Sequence, residues 1–212
     1  MKVTKLGHCC LLIEVRGTRF LTDPGNYTSA QNFLKKIDFV VISHEHTDHL
    51  HIESLKFILR NNPKAVIICN SSVGVILEKE SIGYQKLVDG ESLDLNGIKI
   101  SGYGLKHAPI YDDYEQVENT GYMFDDKLFY PGDAFHDPKV PVDILAFPVT
   151  GPWCKISEAM EYVLKIKPRV AFQVHDGNLV RQTGITIRLP KIILPKEGIS
   201  FVALELGKES EL

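Results

Sequence analysis

Four of the eight histidines in this 212-residue chain lie within eight consecutive positions, directly after a continuously apolar, β-branched stretch. The stretch IDFVVIS predicts a buried strand, and apolar residues from Ile52 onward recur at helical spacing up to Pro63. The histidines of HEHTDHLH therefore occupy a loop that joins a strand to a helix. Polar residues in such a loop are typical of a fold in which the ends of several strands hold the side chains of one rigid site.

The rest of the chain alternates between hairpins and strand–helix units. Ser71 or Ser72 is expected to cap a helix that runs to about Lys79, and Pro168 ends the amphipathic helix ISEAMEYVLKI. Hairpin turns are predicted at Gly17-Thr18 and Asn96-Gly97. Further strands are predicted at KVTKL, CLLIEVR, RFLTD, AVIIC, LDLNGIKI, GYMF, KLFYP, DILAF, RVAFQV and ISFVALEL. We expect a single domain over residues 1–212, in which two sheets pack together with helices on their outer faces.

Composition and charge narrow the range of partners. The net charge of -3 and the pI near 6.2 come without a lysine or arginine stripe, which excludes the electrostatic footprint of a nucleic-acid or anionic-membrane binder. A small-molecule substrate is expected, and the sequence is compatible with a homo-oligomer. The N-terminal apolar stretch contains His8 and ends at Glu14, so it does not match a signal peptide, and a cytoplasmic location is expected. The cysteines lack CxxC spacing and are interpreted as reduced, apolar core residues: Cys9, Cys10, Cys69 and Cys154.

The histidine loop has the spacing of metal ligands. Alternate residues of an extended segment point the same way, so His44 and His46 can present two imidazoles to one ion. The chain then turns into the helix, and Asp48 and His49 can face a neighbouring point. One loop thus offers two pairs of ligands for two adjacent metal ions.

Three further candidate ligands each follow a predicted strand: His107 in GLKHAP, Asp133 in YPGDAF and His175 in QVHDG. A plausible arrangement places His44, His46 and His107 on one ion and Asp48, His49 and His175 on the other, with Asp133 bridging. Nitrogen and oxygen donors suit Zn²⁺ and admit Mn²⁺ or Fe²⁺. Two divalent ions, each with a position open for water, are therefore expected.

The segment HEHTDH resembles the HxHxDH signature of the metallo-β-lactamase superfamily, and the three later ligands match its remaining metal motifs in order. LGHCC, LTDP, GDAFHDP and PVTGPW are most similar to the small metal-dependent hydrolases related to ascorbate-6-phosphate lactonase. Two positions differ from that pattern: Gln173 replaces a proline, and Cys9-Cys10 replaces small residues. The resemblance implies an α/β fold of the α+β type, a four-layer αββα sandwich with a dinuclear site between the sheets. It also implies that Asp23 orients the histidine loop.

The expected activity is hydrolysis of a small ester-like substrate (a lactone, ester or phosphodiester) by a metal-bound hydroxide. Asp133 is expected to hold both ions and Asp48 to fix the attacking group, while His8 or His136 assists the leaving group. Two alternatives stay open: a mononuclear iron oxygenase of the persulfide type, and a noncatalytic sensor of metal or ligand. His51 is expected to begin a solvated helix, and Trp153 is assigned to the core rather than to a substrate-binding surface.

Overall fold

Two seven-stranded sheets pack face to face in the computed structural model, which describes residues 1–112, 114, 116–179 and 184–212. The strands are β1 (Lys2–Gly7), β2 (Cys10–Val15), β3 (Thr18–Thr22), β4 (Phe39–Ile42), β5 (Val66–Cys69), β6 (Gln85–Lys86), β7 (Ser92–Leu95), β8 (Ile98–Tyr103), β9 (Gly121–Phe124), β10 (Leu128–Tyr130), β11 (Ile144–Pro148), β12 (Val170–Val174), β13 (Ser200–Phe201) and β14 (Glu209–Glu211). The first sheet has the order β14-β1-β2-β3-β4-β5-β6, and the second has the order β13-β12-β11-β10-β9-β8-β7.

Helices cover the outer face of each sheet. They are α1 (Ile52–Asn61), α2 (Ser71–Lys79), α3 (Ile156–Ile166) and α4 (Ile185–Ile193), with short 3-10 helices at Ala30–Phe33 and Leu194–Glu197. The apolar faces of α1 and α2 pack on the first sheet, and those of α3 and α4 pack on the second. The predicted four-layer αββα architecture is thereby confirmed. Within the described ranges, no helix combines the length and the apolar character needed to cross a bilayer.

The main core lies between the two sheets and contains residues from both. Phe20 of β3 stacks on Phe39 of β4, with ring centroids 5.3 Å apart, and meets Phe124 of β9 edge-to-face at 5.5 Å. Both Phe20 and Phe124 are fully buried. Burying a side chain of this size stabilises the folded state by roughly 1.5–3 kcal/mol relative to leaving it exposed. The two sheets are thus held in a fixed relation beneath the site.

Strand direction brings the polar loops to one end of the sandwich. In the first sheet, β1, β3 and β4 run parallel to one another, and in the second sheet β8, β10 and β12 do so. Their carboxyl ends are followed by the residues singled out in the sequence: His8, Asp23, the segment 44–49, His107, Asp133 and His175. Ligand sites in open α/β sheets lie at this end of the strands.

Some local predictions were wrong. The hairpin between β2 and β3 turns at Arg16-Gly17, where both residues have positive φ, rather than at Gly17-Thr18. Helix α2 is capped by Asn70, whose side chain accepts a hydrogen bond from the Val73 amide, and not by a serine. The segment ISFVALEL forms a strand only at Ser200–Phe201, because the chain then leaves the second sheet and reaches the first as β14.

Candidate metal centre

The carboxylate of Asp23 fixes the loop between β4 and α1 by hydrogen bonds. Its Oδ1 accepts a hydrogen bond from the Ser43 amide at 2.7 Å, and its Oδ2 accepts from Ser43 Oγ at 2.6 Å and from His49 Nδ1 at 2.7 Å. The hydroxyl of Tyr130 also donates to Oδ2. A Cβ at Gly25 would lie 1.8 Å from the carbonyl oxygen of Asp48, so only glycine allows this close approach. These contacts fix the path of the histidine loop and the ring of His49.

A first group of three imidazoles contains His44, His46 and His107, whose ligand atoms lie within 4.8 Å of one another. Because the Ser43 hydroxyl donates to Asp23, His44 Nδ1–H donates to Ser43 Oγ at 3.0 Å, which leaves the Nε2 lone pair of His44 facing His46 Nδ1 at 3.2 Å. His107 Nδ1 donates to its neighbour's carbonyl oxygen at 2.5 Å, so its Nε2 is also available. Burial lowers the pKa of His46 and holds that of His44 well below its ordinary value. Both rings are therefore neutral, as metal ligands must be.

A second group lies beside the first and contains His8, Asp48, His49 and His175. His49 donates Nδ1–H to Asp23, and His175 donates Nδ1–H to the carbonyl oxygen of Thr150 at 2.5 Å. The Nε2 atoms of both rings make no hydrogen bond of good geometry, and both face the carboxylate of Asp133. This pattern, with one ring nitrogen bound to a protein acceptor and the other free, is typical of metal-ligating histidines.

His8 lies behind Asp48, and its tautomer is fixed by its neighbours. The amide of Gly177 donates to His8 Nδ1 at 3.0 Å, so the proton of the neutral ring is on Nε2, 3.1 Å from Asp48 Oδ2. Burial lowers the pKa of His8 to about 4. Burial alone would raise the pKa of Asp48, but the hydrogen bond from His8 and the nearby His49 bring it to about 2. Asp48 is therefore an ionised carboxylate at neutral pH.

Asp133 lies between the two groups and contacts both. Its Oδ2 is 2.8 Å from His175 Nε2 and 3.4 Å from His107 Nε2, and its Oδ1 is 3.2 Å from His49 Nε2. Burial would raise the pKa of Asp133, but His175 and His49 hold it well below its ordinary value. Burial would likewise lower the pKa of His49, whereas Asp133 and Asp23 raise it well above its ordinary value.

Several buried atoms of these residues have no hydrogen-bond partner among the described residues. They are Nε2 of His46, His49, His107 and His175, and Oδ1 of Asp133. Leaving a buried polar atom without a well-directed hydrogen bond costs about 1–3 kcal/mol, and the contacts with the Asp133 carboxylate offset only part of that cost, so a bound cation would stabilise the cluster. All are nitrogen or oxygen donors, and the groups to which they belong fit divalent transition-metal ions.

The two groups open onto a cavity of about 520 Å³. Its lining includes one threonine and five candidate ligands: Thr47, His46, Asp48, His107, Asp133 and His175. The indole of Trp153 forms part of the wall and donates Nε1–H to Asp133 Oδ2 at 3.2 Å. A molecule in this cavity would reach the candidate metal ligands directly.

The chain also matches known proteins. The model of the β-lactamase superfamily domain matches residues 2–175. The chain belongs to this family. Protein Rv0786c of Mycobacterium tuberculosis is 32% identical over 182 residues, which cover 84% of each chain. The UPF0173 metal-dependent hydrolase Acid345_3437 of Koribacter versatilis is 24% identical, with 91% of each chain covered. Among solved structures, the metallo hydrolase Igni18 of the archaeon Ignicoccus hospitalis superposes with a TM-score of 0.75 at 20% identity and covers 100% of this chain and 98% of its own.

The predicted relationship to the metallo-β-lactamase superfamily is thereby confirmed. The narrower likeness to ascorbate-6-phosphate lactonase stays a prediction. All seven predicted ligands come together, whereas two other histidines do not join them. His136 lines a separate cavity on the far side of the segment 104–109, and His51 caps α1 by accepting a hydrogen bond from the Ser54 amide. The four cysteines are buried, as expected, and form no disulfide bond with one another.

Three side chains contact or lie close to the candidate ligands in a way that the sequence did not predict. Trp153 is buried, as expected, but its indole also contacts Asp133 and lines the cavity. Tyr130 donates to Asp23, and its place in YPGD, three residues before Asp133, was the available signal. Cys9 lies within 4.8 Å of ligand atoms of His49 and Asp133, a proximity that no local pattern indicates.

Proposed function

We propose that this metal-dependent hydrolase of the metallo-β-lactamase superfamily cleaves a small ester-like bond, in a lactone, carboxylic ester or phosphodiester, at a dinuclear metal centre. The observation that carries the proposal is the pair of adjacent ligand groups on either side of Asp133, with unpaired buried nitrogen atoms directed toward an open cavity. The curated relative from Koribacter versatilis, named a metal-dependent hydrolase, supports it.

In this proposal His44, His46 and His107 hold one ion, Asp48, His49 and His175 hold the other, and Asp133 contacts both. Zn²⁺ suits this donor set, and Mn²⁺ or Fe²⁺ are compatible with it. When bound, two such cations lower the pKa of a water molecule toward neutrality and polarise the scissile carbonyl or phosphoryl group. Seven candidate ligands exceed what one four-coordinate ion can use, which supports two ions rather than one.

The protein's own groups have distinct tasks. Asp48 is ionised and lines the cavity, so it can orient the attacking water by accepting a hydrogen bond from it. His8 is buried, and both its ring nitrogens are bound to protein atoms, so we assign it to the positioning of Asp48 in place of the leaving-group role expected from the sequence. Trp153 holds Asp133 by its N–H group. His136 lines a different cavity and takes no part.

Metal analysis and turnover measured together test the proposal. The protein, reconstituted separately with Zn²⁺, Mn²⁺ and Fe²⁺, is assayed on lactones, aryl esters and phosphodiesters, anaerobically and in air. We expect about two ions per chain and equal hydrolysis in both atmospheres, lost on chelation and restored by metal. The variant Asp133→Asn should lose activity, and His136→Gln is the matched control that should retain it.

Other results would contradict the proposal in identifiable ways. Turnover of a sulfur substrate that stops under argon, with one iron per chain, would identify the oxygenase. Stable metal binding without turnover of any substrate in the panel would favour the sensor.

A further inference from the structure

Most of the residues that line the cavity outside the ligand groups are apolar or aromatic. Ile76 comes from α2, Ile110 and Val117 come from the loop after β8, and Pro152 and Trp153 come from the loop after β11. The volume of about 520 Å³ is within the range of small-molecule sites, which bury most of their ligand. The part of a substrate remote from the reacting bond would therefore contact hydrocarbon and aromatic surface.

Outside the ligand groups, the charged side chains that line the described part of the cavity are all acidic. Glu45, between His44 and His46 in the sequence, lines the cavity without belonging to either ligand group. Among the described residues that line the cavity, none is a lysine or an arginine. A phosphate or carboxylate remote from the scissile bond would lose hydration there, would gain no cationic side chain from the described lining residues, and would be repelled by Glu45. Negative charge at the reacting bond is different, because it lies next to the ligand groups.

We infer that the substrate is an uncharged carboxylic ester or lactone with an aliphatic or aromatic substituent, and that Glu45 excludes substrates with an anionic group remote from the scissile bond. This inference rests on the proposed hydrolysis. In that reaction the acyl carbon–oxygen bond breaks, water supplies the oxygen of the new carboxylate, and the leaving oxygen takes a proton. The cavity wall thus determines which acyl groups reach the site, while the ligand groups determine the chemistry.

A matched pair of esters tests the charge preference. 4-Nitrophenyl hexanoate and mono-4-nitrophenyl adipate differ only in a terminal methyl group against a terminal carboxylate. With zinc-loaded protein we expect kcat/KM to be at least about tenfold higher for the hexanoate, because the described lining residues offer the adipate carboxylate no cationic side chain and Glu45 repels it. Equal values, or a preference for the adipate, would overturn the inference.

Variants separate this effect from general hydrophobic preference. Glu45→Gln should reduce the ratio of the two kcat/KM values several-fold, and Glu45→Lys should reduce it further or reverse it. Glu53→Gln changes an exposed carboxylate on α1 and should leave the ratio unchanged. Val117→Thr should weaken the preference for hexanoate over acetate esters, whereas Val75→Thr, at an exposed position of α2, should not. A ratio unaffected by either change at Glu45 would contradict the assigned role.

Binding provides a readout that does not depend on turnover. Trp153 is the single tryptophan of the chain, so its fluorescence reports cavity occupancy. Zinc-loaded protein is titrated with hexananilide and with adipic acid monoanilide, which carry the same charge difference on an amide. Tighter binding of hexananilide without hydrolysis of any ester would refute the proposed function and retain the inference about the wall. Equal or tighter binding of the anionic anilide would overturn the inference, whatever the activity.

Discussion

The two ligand groups on either side of Asp133 differ in how their charge is balanced. His44, His46 and His107 are imidazoles without a carboxylate of their own, and two of them have lowered pKa values. The second group contains Asp48, and its His49 donates to the buried Asp23. A cation at the first group would therefore depend on Asp133 for negative charge, whereas one at the second has Asp48 and Asp23 as well. We therefore expect the two neighbouring groups to bind metal ions with different affinities.

Removing Asp133 is expected to have the largest effect, because it takes away the carboxylate shared by both groups. Asp133→Ala should lower metal content from about two ions per chain to well below one and abolish hydrolysis, since two cations would repel each other without it. Inductively coupled plasma analysis of the purified variant measures this. His51→Ala and His136→Ala serve as controls, and an equal loss in all three variants would show that the groups are wrongly assigned.

Single changes in each group test whether the groups are separate. His107→Ala and Asp48→Ala should each lower the content from about two ions to about one, because the other group keeps its own ligands. Competition with a chelator should show that the ion left in His107→Ala is held more tightly than the ion left in Asp48→Ala. If each variant lost both ions, the two groups would form one cooperative site, and separate binding at the two groups would be refuted.

His8 should make the stability of the metal-free protein depend on pH. Its pKa is about 4 in the folded protein against an ordinary 6.5, so the unfolded state binds more protons between these values and stability falls as pH drops from 6.5 toward 4. The contribution is about 3 kcal/mol, and below pH 4 its slope disappears. Urea unfolding of chelated wild type and His8→Gln, compared across this range, measures it. A variant with the wild-type slope would show that His8 does not contribute.

The smallest effect on metal content is expected for Cys9, whose thiol lies beside His49 and Asp133. Burial raises the pKa values of Cys9 and Cys10 well above their ordinary value, and a protonated thiol is a weak ligand. The double variant Cys9→Ser with Cys10→Ala should therefore keep about two ions per chain and most of its activity. Metal analysis of the folded variant, verified by circular dichroism, tests this. Loss of an ion would place Cys9 in a metal site.

The clustering of the seven candidate ligands could be predicted from the sequence because each belongs to a short motif that follows a strand. The segment HEHTDH contains four of them, and parallel strands bring the other three loops to the same end of the sandwich. The four layers followed from the alternation of hairpins and strand–helix units, with the family resemblance. These features are local in the sequence, or they follow from strand direction.

The contacts around the ligands were not predictable in the same way, because they join residues distant in sequence. Trp153 follows Asp133 by twenty residues, and its motif PVTGPW does not show which atom its indole contacts. The segment after Phe201 has the alternation of a strand, yet the carbonyl of its buried Leu204 accepts a hydrogen bond from Gln173, and the chain then crosses to the first sheet. Helix α4 was not recognised either, and Pro190 lies inside it. Tertiary packing determined each of these outcomes.

Each ligand group draws on both sheets. His44 and His46 follow β4 of the first sheet while His107 follows β8 of the second, and Asp48 and His49 are likewise joined by His175 after β12. A cation bound by either group would therefore be a noncovalent cross-link between the two halves of the sandwich. Its binding free energy would resist their separation, so metal loading should slow amide hydrogen exchange at strand ends in both sheets at once. The metal ions proposed for catalysis would therefore also stabilise the packing of one sheet on the other.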